Sequence, residues 1–267
     1  MTDIHEILQQ FKEGKISEED VLKVIKIDYL EKIDDLVNLD IFRKERKGIP
    51  EVIYAQSKSN EMILEIIQSY LKNKDFALIS RIRDDQFEII EKFVKSNPDL
   101  AVDMNKRGRI ARIYNKNGCV SERNPDAKVG IITAGTSDIP IAEEAKMIVE
   151  AMGCTVYSSY DIGIAGFHRI FEPLKKMLLE NVDVIIVIAG MEGTLPGVVS
   201  ALVDIPVIGV PTSSGYGYKG NGEGALTTML QSCSPGLSVV NIDNGFGAAA
   251  CAALIALRAH KKKGSKK

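Results

Sequence analysis

DVIIVIA (183–189) is seven residues long, almost wholly apolar and rich in β-branched side chains. A run this short with no polar face fits a strand paired on both edges and covered on both faces. Four more runs share its character: VGIIT (129–133), TVYSS (155–159), PVIGVP (206–211) and SVVNI (238–242). Between them lie stretches of about 10–15 residues with helical texture, and strand–helix alternation of this kind builds a parallel sheet with helices on both faces. The fold class is therefore α/β, with a doubly wound parallel sheet over residues 127–260.

Working outward, the preceding residues have a different composition. Charged side chains crowd into the first half of the chain and glycines into the second. The join is expected at Ser121–Lys128, where SERNPDAK supplies a proline and clustered polar residues. In residues 48–126, EVIYA, FALIS and RIARIY read as strands around helices near 60–72 and 84–95, a small α/β module. Residues 1–47 read as a helical arm. Ile4, Ile7, Leu8 and Phe11 have helical spacing closed by Gly14, and Ser17 with Asp20 caps a second helix whose apolar side is Val21, Leu22, Ile25 and Leu30. The KKKGSKK tail (261–267) is a solvated end.

Composition narrows the function. A chain of 267 residues with 34 basic and 36 acidic side chains has no cationic excess to displace counterions from nucleic acid. No uninterrupted apolar stretch approaches the ~20 residues of a membrane span, and MTDIHEILQQFKEGK carries no apolar leader block. Cys119, Cys154, Cys233 and Cys251 lie far apart without a CxxC pair, so a reducing, cytoplasmic setting is expected.

In doubly wound sheets ligands collect beyond the carboxyl ends of the strands, so the loops there carry the chemistry. After the first strand, Gly135, Thr136, Ser137 and Asp138 supply a tight turn, two hydroxyls and a helix start that suits phosphate; an ordinary capped connection fits equally. After the second, His168 sets a proton carrier beside the permanent cation Arg169. After the third, Gly190 and Gly193 flank Glu192, whose desolvation at the end of an apolar strand would raise its pKa; an exposed turn residue is the other reading. After the fourth, Gly215, Gly217 and Gly220 fit GxGxxG in the wrong place for a dinucleotide fingerprint, which leaves a glycine-rich lid. Asp243 follows the fifth strand. Cys154 and Cys251 sit in apolar company and read as small core residues, whereas Cys233, between Ser232 and Ser234, is the best candidate for a reactive thiol.

GTSDIPIAEEA, the His168–Arg169 pair, GMEGTLPG and PVIGVP occur in the order found in the PurE family of aminoimidazole ribonucleotide carboxylases, and the chain resembles that family. A finer resemblance is to the LarB-type pyridinium biscarboxylate synthases, carried by AGTSD, IAGMEGTLPGVV, SCSPG and VVNIDNGFGAA and extended by GIPEVIYA (48–55). The purine enzymes have a histidine where this chain has Thr194, and they lack a thiol at the turn that holds Cys233.

The LarB resemblance implies a PurE/flavodoxin-like domain and the first step of nickel-pincer nucleotide synthesis. In that step nicotinic acid adenine dinucleotide is carboxylated on its pyridinium ring and its phosphoanhydride is hydrolysed. Cys233 would be the nucleophile, Glu192 the base and His168 an aid to proton transfer. Gly135–Asp138 would hold phosphate, with Gly190 and Gly193 close to the ligand and Arg169 offsetting charge. It also implies carbon dioxide or bicarbonate as co-substrate, and a divalent metal, magnesium first, with Asp138 or Asp243 as ligands. A homo-oligomer is expected, octamers being known among PurE-like enzymes. Cys233 precedes the fifth strand and so belongs towards the amino edge of its own sheet, behind a helix whose negative end raises a thiol pKa above about 8.5. Both difficulties shrink if the turn serves a neighbouring subunit's site. Two alternatives stay open, a purine-type carboxylase or mutase and a non-catalytic nucleotide sensor.

Overall fold

The structure is a computed structural model that describes residues 4–17, 20–21, 31–33, 37–39, 43–118 and 123–261. Helix α1 (Ile4–Lys12) ends near Gly14 at φ +71°. Ser17 and Asp20 then exchange bonds, the Asp20 N–H donating to Ser17 Oγ and the Ser17 N–H to Asp20 Oδ2, both at 3.1 Å. That is the reciprocal cap the sequence called for, although residues 22–30 of the expected second helix, with Leu22, Ile25 and Leu30, lie outside the described residues. The arm is not helical throughout: β1 (Glu31–Ile33) pairs antiparallel with β2 (Val37–Leu39) ahead of α2 (Arg43–Lys47). Three-residue strands are too short to show a period, which is why helix alone was expected here.

The small module runs β3 (Val52–Tyr54), α3 (Asn60–Asn73), β4 (Phe76–Ser80), α4 (Asp84–Lys95), β5 (Leu100–Asn105) and β6 (Ile110–Asn115). Its sheet order is β3-β4-β6-β5, with β3 parallel to β4 and the other two pairings antiparallel. FALIS is buried at all five positions because both faces are covered. Ala77 and Ile79 face α3 and α4, while Phe76 and Leu78 meet Met147 and Ala151 of the following domain. Strand β5 escaped the sequence reading. Its LAVDMN is half-exposed along its length, an edge strand whose Asp103 pairs with Arg112 of β6.

The second domain alternates β7 (Lys128–Thr133), α5 (Ile139–Ala151), β8 (Thr155–Ser159), α6 (Phe171–Leu179), β9 (Val184–Ala189), α7 (Leu195–Leu202), β10 (Val207–Pro211), α8 (Glu223–Leu230), β11 (Leu237–Val239) and α9 (Gly245–Ala259). The five strands lie in the order β11-β10-β9-β7-β8, every pairing parallel. This is the doubly wound sheet expected. DVIIVIA becomes its central strand, buried at every residue from Val184 to Ala189, each large side chain stabilising by about 1.5–3 kcal/mol. TVYSS lies at the edge and is only half-buried, and SVVNI forms strand only to Val239 before the chain turns. One face packs on α5 and α9, where Ala248, Ala249, Ala252, Ala253 and Ala256 are fully buried and let the helix approach closely. The other packs on α6, α7 and α8 through Leu174, Met177, Leu195, Val199 and Met229.

Strand order reverses between β7 and β9, so a crevice opens there at the carboxyl edge. Among the described residues no helix is long and apolar enough to cross a membrane.

Candidate functional site

A cleft of about 340 Å³ opens at that switch point, lined by the loops that follow β7, β8, β9 and β10. Its floor is the turn after β7. Asp138 is buried, and its carboxylate is fully engaged. Thr212 Oγ1 and Ser214 Oγ donate to Oδ1 at 2.7 and 2.9 Å, and the Gly135 N–H donates to Oδ2 at 2.9 Å. The aspartate thus ties the first loop to the end of β10. Thr136 and Ser137 remain exposed above it, with Ser137 on the cleft wall. Asp138 thus caps and braces the turn, the capped connection that was one of the two readings of this loop.

The loop after β9 forms the opposite wall. Glu192 lines the cleft and is exposed, which is the turn-residue reading of its place after an apolar strand. Glycines are required on both sides of it. A Cβ on Gly190 would stand 2.5 Å from Ser214 Oγ; one on Gly193, at φ +66°, would stand 2.7 Å from the Ala225 backbone. Backbone strain gathers here, with Met191 at φ +45° and Asp161 at φ +58°.

From the loop after β8, Arg169 reaches the cleft and pairs with Asp161 at 3.4 Å, both side chains about half-exposed. Arg169 sits in a short 3₁₀ turn, Ile164–Ile170, ahead of α6. His168 shares that turn, is exposed, and does not line the cleft of its own chain. The glycine-rich loop carries Tyr216 to the cleft rim and leaves Tyr218 fully exposed.

Cys233 is exposed and lies outside the cleft. It lines a second hollow of about 530 Å³, a groove between α7 and α8 that begins at Gly193 and Thr194. Those two residues line both cavities, so the groove that holds the thiol adjoins the cleft that holds Glu192. Within one chain Cys233 and Glu192 line different cavities. Cys154 is a core residue whose thiol burial pushes up to about 12. Cys251 is corrected: it is exposed on the outer side of α9. Cys119 lies outside the described residues.

The metal expectation finds no support in the donor set. Asp243 accepts from the Ser213 N–H at 2.8 Å and from Ser213 Oγ at 2.6 Å, so both proposed aspartates are occupied. Among the described residues no group of three or more His, Cys, Asp or Glu side chains is placed to hold an ion.

Sequence reading missed Thr212, Ser214, Asp161 and Tyr216. The two hydroxyls reach Asp138 across more than 70 residues of chain, and no local pattern announces such a contact.

Residues 128–266 match the family model for AIR carboxylase, and residues 30–115 match that for the LarB/PurE-like N-terminal domain. The chain is 47% identical over 261 residues to an uncharacterized protein of Methanocaldococcus jannaschii, covering 97% of this chain and 99% of that one. It is 38% identical over 145 residues to the N5-carboxyaminoimidazole ribonucleotide mutase of Pyrococcus horikoshii, covering 52% of this chain and 75% of the mutase. Against the corresponding mutase of Thermotoga maritima it is 35% identical over 135 residues, covering 48% and 74%.

Proposed function

The chain belongs to the AIR carboxylase family, joined to a LarB/PurE-like N-terminal domain, and from that membership we propose that it carboxylates and hydrolyses nicotinic acid adenine dinucleotide. The products are pyridinium-3,5-biscarboxylic acid mononucleotide and AMP. At the coarser level the family is one of carboxylases and mutases. The observation that carries the finer reading is Cys233, an exposed thiol on a groove that shares Gly193 and Thr194 with the cleft holding Glu192.

A pyridinium ring is electron-poor and cannot attack carbon dioxide. Addition of the Cys233 thiolate to the ring carbon para to nitrogen forms a C–S bond and gives a neutral dihydropyridine, an enamine. Its C5 then bonds to the carbon of carbon dioxide, giving a carboxylate. Glu192 takes the C5 proton, the ring electrons return, and the C–S bond breaks to release thiolate and restore the aromatic cation. Water splits the phosphoanhydride. Exposed Thr136, Ser137 and Arg169 are the groups available to phosphate and carboxylate. His168, off the cleft wall in its own chain, has no step here.

The same reading makes the site composite in a homo-oligomer, with Cys233 entering a neighbour's cleft. The exposed apolar side chains of Leu179, Leu202 and Leu230 along α6–α8 support association on that face. Cys233→Ser and Glu192→Gln chains, each inactive, regain partial turnover when co-assembled; heteromers that stay inactive overturn the shared site.

Purified protein incubated with the dinucleotide, bicarbonate and magnesium gives a mononucleotide heavier by one carbon dioxide, together with AMP. The similarity to the mutases favours one second reading, turnover of N5-carboxyaminoimidazole ribonucleotide. Activity on that compound, with none on the dinucleotide, overturns the first. Binding of the dinucleotide without product, unaffected by Cys233→Ser, would instead identify a sensor.

A further inference from the structure

Among the described residues none of the amino-terminal module lines the cleft, yet one of its side chains bonds to the segment beneath it. Arg81 follows β4, at φ +56°. Its Nε stands 3.3 Å from Oε1 of Glu144 on α5, and its Nη2 donates to the carbonyl oxygen of Asp243, also in the left-handed region at φ +55°. Asp243 in turn accepts both the N–H and the hydroxyl of Ser213. The residues either side of Ser213 are Thr212 and Ser214, the two hydroxyls that hold Asp138 beneath the Gly135–Ser137 turn. An unbroken run of contacts therefore joins Arg81 to the floor of the cleft.

We propose that Arg81 is a positioning residue for the cleft, fixing Asp243 and through it the Thr212–Ser214 segment that sets the turn after β7. This rests on the proposed function in so far as that turn handles substrate phosphate.

The chemistry of the junction favours arginine. One planar fork serves two acceptors at once, which the point charge of a lysine cannot reproduce. Glu144 is 3% exposed; its Oε1 also accepts from Ser80 Oγ, while its Oε2 has no hydrogen-bond partner among the described residues. Asp243 adds a second negative charge to which Glu144 is electrostatically coupled. Without Arg81 the buried carboxylate is uncompensated, and the two acidic groups repel across the junction. Two left-handed non-glycine residues facing one another stay in place only where their surroundings hold them, and Arg81 is the tie between them.

The test uses the full chain with Arg81→Ala, Arg81→Lys and, as control, Arg112→Ala. Arg112 is a partly buried arginine of the same module, paired with Asp103 and absent from the run of contacts above. Hydrogen exchange read by mass spectrometry follows peptides covering Gly135–Ile139 and Gly209–Gly217. In Arg81→Ala these exchange roughly tenfold faster, about the worth of one charge-assisted hydrogen bond, while Val184–Ala189 is unchanged; Arg81→Lys recovers part of the protection. In turnover, KM for the dinucleotide rises about tenfold with kcat within about threefold, the split expected for lost uniform binding. Unchanged exchange in both peptides, or acceleration spread evenly over all strands as in Arg112→Ala, overturns the proposal. If the wild type fails to turn over the dinucleotide, the functional reading falls by itself, and the exchange pattern still decides the role of Arg81.

Discussion

Removing the Asp138 carboxylate separates a structural brace from a chemical group. Three hydrogen bonds end on it, from Thr212, Ser214 and the Gly135 N–H, and both Asp138 and Thr212 are essentially without solvent contact. In Asp138→Ala the Thr212 hydroxyl loses its acceptor in a place water hardly reaches, while Ser214 and the Gly135 N–H, on the cleft wall, are left to water. At about 0.5–1.5 kcal/mol per bond, with the two cleft-facing donors at the lower end, the loss is roughly 2–4 kcal/mol, a large share of the ~5–15 kcal/mol that holds a domain folded. Asp138→Asn behaves differently. Its carbonyl oxygen still accepts from Gly135, and its amide donates to hydroxyls that rotate to receive it, so the cost is about 1–2 kcal/mol, the loss of charge assistance. Urea denaturation with matched slopes reads the difference. A loss below about 1 kcal/mol for the alanine variant, or equal losses for both variants, would refute the brace.

Further outcomes can be checked independently. Burial raises the Glu144 carboxyl above its usual 4.5, so the folded chain holds that proton more tightly than the unfolded one; the stability it contributes is complete below about pH 4.5 and is lost as pH rises through the raised value. The melting temperature of Glu144→Gln minus that of the wild type therefore grows from pH 4.5 towards neutrality, and a flat difference contradicts the assignment. Gly193→Ala forces a Cβ against the Ala225 backbone at a left-handed residue, so it should destabilise by about 1–3 kcal/mol and cut turnover severely; wild-type melting and activity would show that the loop yields. Iodoacetamide at pH 8 followed by peptide mapping should label Cys233 and Cys251 within minutes and Cys154 only after unfolding, given its burial and its pKa of about 12. Early labelling of Cys154 would count against the core packing.

The parallel sheet was legible because its strands are buried on both faces and therefore carry uninterrupted apolar runs. FALIS declared itself for the same reason, although its second cover comes from a helix some 70 residues on. What the sequence concealed was contact between distant residues. Nothing near Glu144 indicates that a charged side chain will be enclosed, because its partners Ser80 and Arg81 belong to another module. The half-exposed β5 does alternate, Leu100, Val102 and Met104 turning to the core between Ala101, Asp103 and Asn105, but one short run of six with a single large apolar face is easily passed over. Cys251 misled because its neighbours in sequence are alanines, whereas a helix sends successive side chains to different sides, and this one points away from the sheet. Glu192 misled similarly: the end of an apolar strand is buried, but the loop leaving it is not.

Helix α5 has two interiors to serve. Ala142, Ala145, Ile148 and Val149 fill the large core, while Met147 and Ala151 complete the smaller one. Such a rod is a shared party wall, and neither room stands once it is stripped from one side. A fragment starting at the first parallel strand would present to water an oily flank together with Glu144, robbed of its arginine. The two halves of this polypeptide are accordingly tenants of one cooperative building, and dissecting them is demolition, not separation.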